Sequence, residues 1–446
     1  MSATRSQLDQ RHVWHPFTQQ RDWCREEQLM IERAEGTTLI ATDGRRFIDG
    51  VSSLWCNVHG HRHPLIDRAV RDQLDKVAHS TMLGLSHPGA AELAARLVNV
   101  APPGLTRVFY SESGSTATEI ALKMAFQYWQ QRGGQHVRRT SFVHLRDAYH
   151  GDTIGSVSVG GIDLFHSTFR PLLFRTHAAS PGDAEDMARI LAAHEEELAA
   201  VIIEPLVQGA AGMIVHPPGY LRAVRRLCDR HGVLLICDEV ATGFGRTGTM
   251  FACEQERVSP DLLCLAKGLT GGYLPLAATL TTERIYKGFL GAHEDFRSFF
   301  HGHTYTGNPL ACAAALANLD AFWSQRTLVR LQPKISLLHD LLAEVGSMPE
   351  VAEVRGRGFM VGIDLGQHEP ALRLGQRVAI AARERGAIIR PLGDVVVLMP
   401  PLAISASDLR RLVEITAESI REACEDAYPG AETATLAAPV ALPRAA

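Results

Sequence analysis

The sequence predicts an α/β protein: a large domain on a mostly parallel, doubly wound sheet, followed by a smaller α+β domain. Three observations carry that reading. Short apolar runs near residues 107, 141, 201, 234, 263 and 276 recur between mostly helical patterns, which is how strand–helix–strand units alternate. Val233 to Cys237 and Leu262 to Ala266 are continuous aliphatic and β-branched runs, as expected of strands covered on both faces. After a helical region (Leu310 to Trp323, then Leu328 to Val345), strand patterns at 351–355, 359–364, 386–390 and 395–399 mix with helical ones at 371–385 and 407–426.

In chain order, His12 to Thr18 carries two aromatics and a proline and reads as an extended arm. Leu29 to Ile48 alternates and turns at Thr42-Asp-Gly-Arg45, a meander of short strands. Residues 49–60 form a loop bearing Trp55, a side chain that packing alone would also explain. Residues 63–78 and 88–100 have helical periodicity, and Leu105 to Tyr110 is a strand. After the break at Ser111-Glu-Ser-Gly-Ser-Thr116, a helix aligns Ile120, Ala121, Met124, Ala125 and Tyr128 on one face. Boundaries follow: an arm with strands joining the small domain (1–58), a large domain (59–320), a small domain (321–427) and a disordered tail (428–446) rich in alanine and proline.

The chemistry gathers at strand ends. Val233–Cys237 stops at Asp238-Glu239, and Leu262–Ala266 stops at Lys267, at the carboxyl edge where open α/β sheets bind ligands. A carboxylate and an amine there suit pyridoxal phosphate: the amine condenses with the aldehyde and the carboxylate keeps the ring nitrogen protonated. A structural ion pair is the plainer alternative. The Ser-Gly-Ser-Thr turn opening a helix offers free N–H groups to a phosphate; a serine N-cap is the competing account. A Tyr149-His150 pair at a strand end can lay an aromatic face on a planar group. Other motifs fail on context. A Walker B reading of Asp238-Glu239 lacks its glycine-rich lysine loop, and Gly243-Phe-Gly-Arg-Thr-Gly248 does not follow its strand directly.

Bulk properties narrow the class. The chain has 446 residues, 46% hydrophobic and 21% charged, with a net charge of −4 and both signs mixed, which argues for neither nucleic acid nor an anionic membrane. The 8 cysteines are scattered and read as buried thiols in a reducing compartment. No transmembrane-length run or early apolar core is present, so a cytoplasmic protein is expected. His59-Gly-His-Arg-His63 and His301-Gly-His303 lack metal-ligand spacing and read as hydrogen-bonding loop histidines, with no metal expected.

These residues resemble the class III, fold-type I aminotransferases that use pyridoxal phosphate. The likeness runs from about Val13 to Asp426 and rests on Asp238-Glu-Val-Ala-Thr-Gly-Phe-Gly-Arg-Thr-Gly248 with Lys267. Trp14-His-Pro-Phe-Thr18, Lys123-Met-Ala-Phe-Gln-Tyr-Trp129, Tyr149-His-Gly-Asp-Thr153 and Arg390-Pro-Leu-Gly393 bring it nearest to members that serve biotin synthesis. That resemblance implies amino transfer from S-adenosylmethionine to 8-amino-7-oxononanoate by a homodimer with interface active sites. Lys267 would join the cofactor and move the proton, Asp238 pair with the ring nitrogen, Tyr149 stack on the ring, and Gly114 and Ser115 bind phosphate. Gly302, His303 and Thr304 would reach the neighbouring subunit's phosphate, while Trp55, Arg246 and Arg390 would line the substrate, Arg390 taking a carboxylate. Gly209 and Ala241 replace the glutamate and glutamine of ornithine- and γ-aminobutyrate-type relatives. Phe17, Leu54 and Val397 replace two tyrosines and a tryptophan, which leaves lysine open as donor. A broad ω-amine:pyruvate transaminase is the alternative on the same fold.

Overall fold

The computed structural model describes residues 4–429. Its centre is a seven-stranded sheet whose strands, in spatial order, are Leu105–Ser111, Ala277–Thr282, Leu262–Leu265, Leu234–Asp238, Leu198–Ile203, Ser141–Leu145 and Thr176–Ala179. The strand Ala277–Thr282 runs antiparallel to both neighbours, and the other adjacent pairs are parallel. The runs at 198, 234 and 262 are buried at every position, as their lack of alternation predicts. Thr176–Ala179 was not foreseen: Thr-His-Ala-Ala has no apolar run, and as the sheet's edge strand it needs none.

Register places the chemistry. Asp238 pairs with Cys264 across two parallel strands, so the strand leading to Lys267 ends beside the one ending in Asp238. The helix Gly114–Arg132 buries the five face residues named above, packing its first turn toward the same sheet edge. Ser113 caps it, accepting from Thr116 N–H, while the Thr116 hydroxyl accepts from Ser113 N–H in return.

The N-terminal meander (Ile31–Glu35, Thr38–Ala41, Arg46–Asp49) gains a fourth strand, Ala387–Ile388, parallel to Arg46–Asp49. The predicted single strand at 386–390 is therefore divided. Past Ile389 the chain enters a second antiparallel sheet as Arg390–Leu392, beside Val395–Leu398, Met360–Asp364 and Glu353–Arg357. Pro391 is tolerated there because this is an edge strand. Two helices, Leu374–Glu384 and Ala406–Ala427, flank that sheet. Ahead of the arm, Thr4 and Gln7 form a capping box for an unforeseen helix, Arg5–His12. The predicted tail begins too early. Tyr428 hydroxyl meets His368 Nδ1 at 2.7 Å, and the remainder, 430–446, lies outside the described residues.

Candidate active site

Asp238, Lys267, Tyr149, Trp55, Gly114 and Ser115 line one cavity of ≈ 770 Å³ at the carboxyl edge of the sheet. The two acids at the strand end part company. Asp238 faces the cavity, its Oδ2 2.7 Å from His150 Nδ1 and its Oδ1 accepting Val240 N–H at 3.0 Å. Glu239 is fully buried on the other side, where it accepts from Ala252 N–H, Cys253 N–H and the Thr242 hydroxyl at 2.9, 2.8 and 2.7 Å. It ties down the glycine-rich loop, which is a series of turns opening no α-helix. Because a carboxylate only accepts, His150 carries its proton on Nδ1. Its Nε2 is buried without a hydrogen-bond partner.

Lys267 sits in a left-handed conformation (φ 45°) at the start of a short 3-10 turn, a backbone cost tolerated mainly at functional positions. Its Nζ lies 5.0 Å from the centroid of the Trp55 ring. Burial lowers the amine's pKa, opposed by the negative charges of Asp238 and Glu204. Trp55 is held by a strained turn. Ser53 N–H donates to both oxygens of Asp49 at 2.9 Å and the Ser52 hydroxyl donates to Met399 O at 2.7 Å. The Trp55 indole N–H has no partner. Tyr149 forms another wall, its hydroxyl donating to Asp152 at 2.7 Å.

The helix start is a cradle with a specific division of labour. Gly114 and Ser115 N–H groups, in the first turn, have no intrahelical partner, whereas the Ser115 hydroxyl is engaged with Thr153 and Ser156 at 2.9 and 3.2 Å. What this helix start offers an anion is thus its backbone N–H groups. Gly114 is needed for approach: a Cβ there would lie 2.5 Å from Val240 Cγ1. Likewise a Cβ on Gly151 would overlap Ser115 at 2.3 Å, so the tyrosine loop closes directly onto the helix.

The remaining predicted residues lie elsewhere. Arg246 does not line the cavity: it is 1% exposed, and its guanidinium donates to Pro400 O at 2.7 Å and Asn57 O at 2.6 Å. Burial lowers its pKa to about 10. Gly245 and Gly248, close to it in the chain, both sit at positive φ. Arg390 is half-buried near Tyr149 and, among the described residues, has no carboxylate partner; burial lowers its pKa. Gly302 and Thr304 are exposed on a separate loop. From that loop His303 reaches the cavity's rim, its Nδ1 3.3 Å from Glu112.

In the second histidine motif His301 Nε2 and His303 Nε2 lie 2.9 Å apart, and in the first the rings meet other partners. His59 Nε2 meets Asn318 O at 3.2 Å and His63 Nε2 meets Gln325 at 2.6 Å. Among the described residues the one grouping of three metal-ligating side chains is His177, His194 and Glu197, where Glu197 already pairs with His194 at 2.8 Å and Arg175 at 3.2 Å. Sequence reasoning named His150 only as the neighbour of Tyr149, without its bond to Asp238, and missed Glu204 as a site residue. An acid ends the apolar run at residue 203, but a lone carboxylate at a strand end carries no signal of its own.

The cavity suits pyridoxal phosphate on chemical grounds: a partly dehydrated amine, a buried carboxylate with its own donors, an aromatic wall, and a helix start for the phosphate. Comparison with known proteins agrees. The model of the family "Aminotransferase class-III" matches residues 21–420. The adenosylmethionine-8-amino-7-oxononanoate aminotransferase of Nitratidesulfovibrio vulgaris is 57% identical, over 95% of this chain and 82% of its own. That of Geobacter sulfurreducens is 48% identical, over 92% and 96%. The crystal structure of the Methanocaldococcus jannaschii enzyme of that name superimposes with a TM-score of 0.92 at 45% identity, covering 94% of this chain and 98% of that one. A PLP-bound amine transaminase from an uncultivated Pseudomonas species gives 0.87 at 37%, covering 92% and 99%. The chain belongs to the class III aminotransferases, enzymes of fold type I that work with pyridoxal phosphate.

Proposed function

We propose that the protein transfers an amino group from S-adenosylmethionine to 8-amino-7-oxononanoate, giving 7,8-diaminononanoate in biotin synthesis. The observation that carries this is 57% identity, over 95% of the chain, to an enzyme of that name. Pyridoxal phosphate, when bound, supplies an electron sink for the bond broken at the amino-bearing carbon. The chain's residues do the rest. The N–H groups of Gly114 and Ser115 hold the phosphate, and Tyr149 covers the ring. Asp238, oriented by donors from His150 and Val240, would hold the proton on the ring nitrogen. Lys267 Nζ would hold the cofactor's aldehyde carbon at rest and, as a free amine in the cavity, would serve as the base that accepts and returns the substrate's proton. A lowered pKa favours the neutral amine needed for that. Arg390 supplies an unpaired planar fork to the acceptor's carboxylate, and Trp55 bounds the pocket.

The active enzyme in this reading is a cytoplasmic homodimer. Gly302 and Thr304, away from their own chain's cavity, serve the partner's phosphate; exposed Phe300 and Tyr305 flank them in the chain, and exposed Leu83 lies beside Gly302 in space. All 8 cysteines are free, as a reducing compartment requires. Turnover of 8-amino-7-oxononanoate with S-adenosylmethionine, exceeding that with lysine, is the expected result. Lysine alone supporting turnover would reassign the donor. Likeness to an amine transaminase at TM-score 0.87 supports the second reading; transfer from a simple amine to pyruvate with no turnover of 8-amino-7-oxononanoate would establish it.

A further inference from the structure

We propose that Glu204 is the positioning residue of this site, a single carboxylate that fixes the spacing of two cavity walls by accepting the backbone N–H groups of Tyr149 and Gly209. The proposal rests on the aminotransferase reading only for its kinetic readout. Glu204 closes the central strand Leu198–Ile203 and is 5% exposed, lining the cavity beside Asp238 and Lys267. Its Oε1 accepts Tyr149 N–H at 3.2 Å and its Oε2 accepts Gly209 N–H at 2.9 Å.

One of those segments carries Tyr149 and the other supports Trp55, two aromatic side chains that line the cavity. On one side, Tyr149 is anchored through its hydroxyl to Asp152. On the other, Gly209 is the bed of Trp55: a Cβ there would lie 3.2 Å from Trp55 Cζ3 and 3.7 Å from Glu204 Oε2. The indole therefore rests on the Gly209 backbone, and the Gly209 backbone hangs from Glu204. A change in how Glu204 holds either N–H displaces a wall.

The hold requires two acceptors. An ionised carboxylate provides them, while a protonated one turns a donor toward one of the N–H groups. The groups facing Glu204 are His150, whose charge favours ionisation, and Asp238, whose charge opposes it, with Lys267 beyond and His216 on the Glu204 backbone carbonyl at 3.2 Å. Burial first and Asp238 second raise the Glu204 pKa to about 7. The sign follows: both bonds are complete above about 7, and one is lost as pH falls through that value.

Hydrogen–deuterium exchange on the cofactor-loaded enzyme reads these amides directly. In the wild type, protection at Tyr149 and Gly209, corrected for intrinsic rate, should fall about tenfold from pH 8 to pH 6, in step with the ionised fraction. Glu204→Gln, which fixes an NH₂ against one N–H, should exchange about tenfold faster at pH 8 and be insensitive to pH. Its kcat/KM profile should lose the acid limb near 7, with KM rising more than kcat falls. Equal protection in variant and wild type at pH 8, or wild-type protection unchanged between pH 6 and 8, would overturn the proposal. Should the variant misfold, the wild-type series decides alone. Absence of turnover with the proposed substrates would sink the functional reading and leave the exchange result standing.

Discussion

Lys267 and Arg246 are two basic side chains close enough to influence each other, yet they do opposite work, and substitution separates them. Lys267→Ala should abolish the borohydride-sensitive absorbance of the bound cofactor and cut turnover by at least ~10⁴-fold, the upper range for a lost general base. Circular dichroism should be unchanged. Arg246→Ala should act on folding, since it leaves the carbonyls of Pro400 and Asn57 buried without their donor. Urea denaturation should show a loss of roughly 2–5 kcal/mol. Arg390→Ala should raise KM for the carboxylate-bearing acceptor by about 10–100-fold, the value of a charge-assisted hydrogen bond, with kcat changed much less. Lys267 was legible because an apolar strand ending in a lone amine has few other uses. The burial of Arg246 was not legible, because letters in a glycine-rich loop do not say which way the turns aim a side chain.

Among the elements, the helix Gly114–Arg132 is the most exposed to test. Its N-terminal N–H groups can reach an anion only while the loop of Val240 packs against Gly114, with no room for a Cβ. Gly114→Ala should therefore weaken cofactor binding at least about tenfold in a fluorescence titration, with secondary structure retained. Its buried face was readable from periodicity, and the core strands from continuous apolar runs. Thr176–Ala179 and the small hairpin Val207–Gln208 with Ile214–Val215 were not. Edge strands and two-residue strands are specified by the partner they lie against, and that partner is remote in sequence.

For the molecule as a whole, buried ionisable groups set the response to acid. His59, His144 and His216 are held neutral by burial, each lowered to about 4. Folded below and unfolded near 6.5, they contribute stability above 6.5 that drains away as pH falls toward 4. Glu204 and Glu254, raised to about 7, work the other way, losing stability as pH rises from about 4.5 through 7. With Glu239 also raised but His63, His136, His166, His177 and His301 also lowered, the histidines outnumber the glutamates, so the urea midpoint should fall as pH drops from 6.5 to 4.5. A midpoint rising over that range would contradict the assignment of neutral buried histidines. Glu204 carries its charge near neutrality against the preference of its surroundings, trading stability for the geometry of the walls.

The divided strand at Ile389 bears on how the chain is made. Arg46–Asp49 leaves the ribosome early, but its parallel neighbour Ala387–Ile388 is translated near the end. At ~5–20 residues per second, the N-terminal ribbon waits on the order of tens of seconds with one edge bare. Throughout that interval it offers unsatisfied peptide groups to any other nascent chain, and only the arrival of the last quarter of the polypeptide seals it.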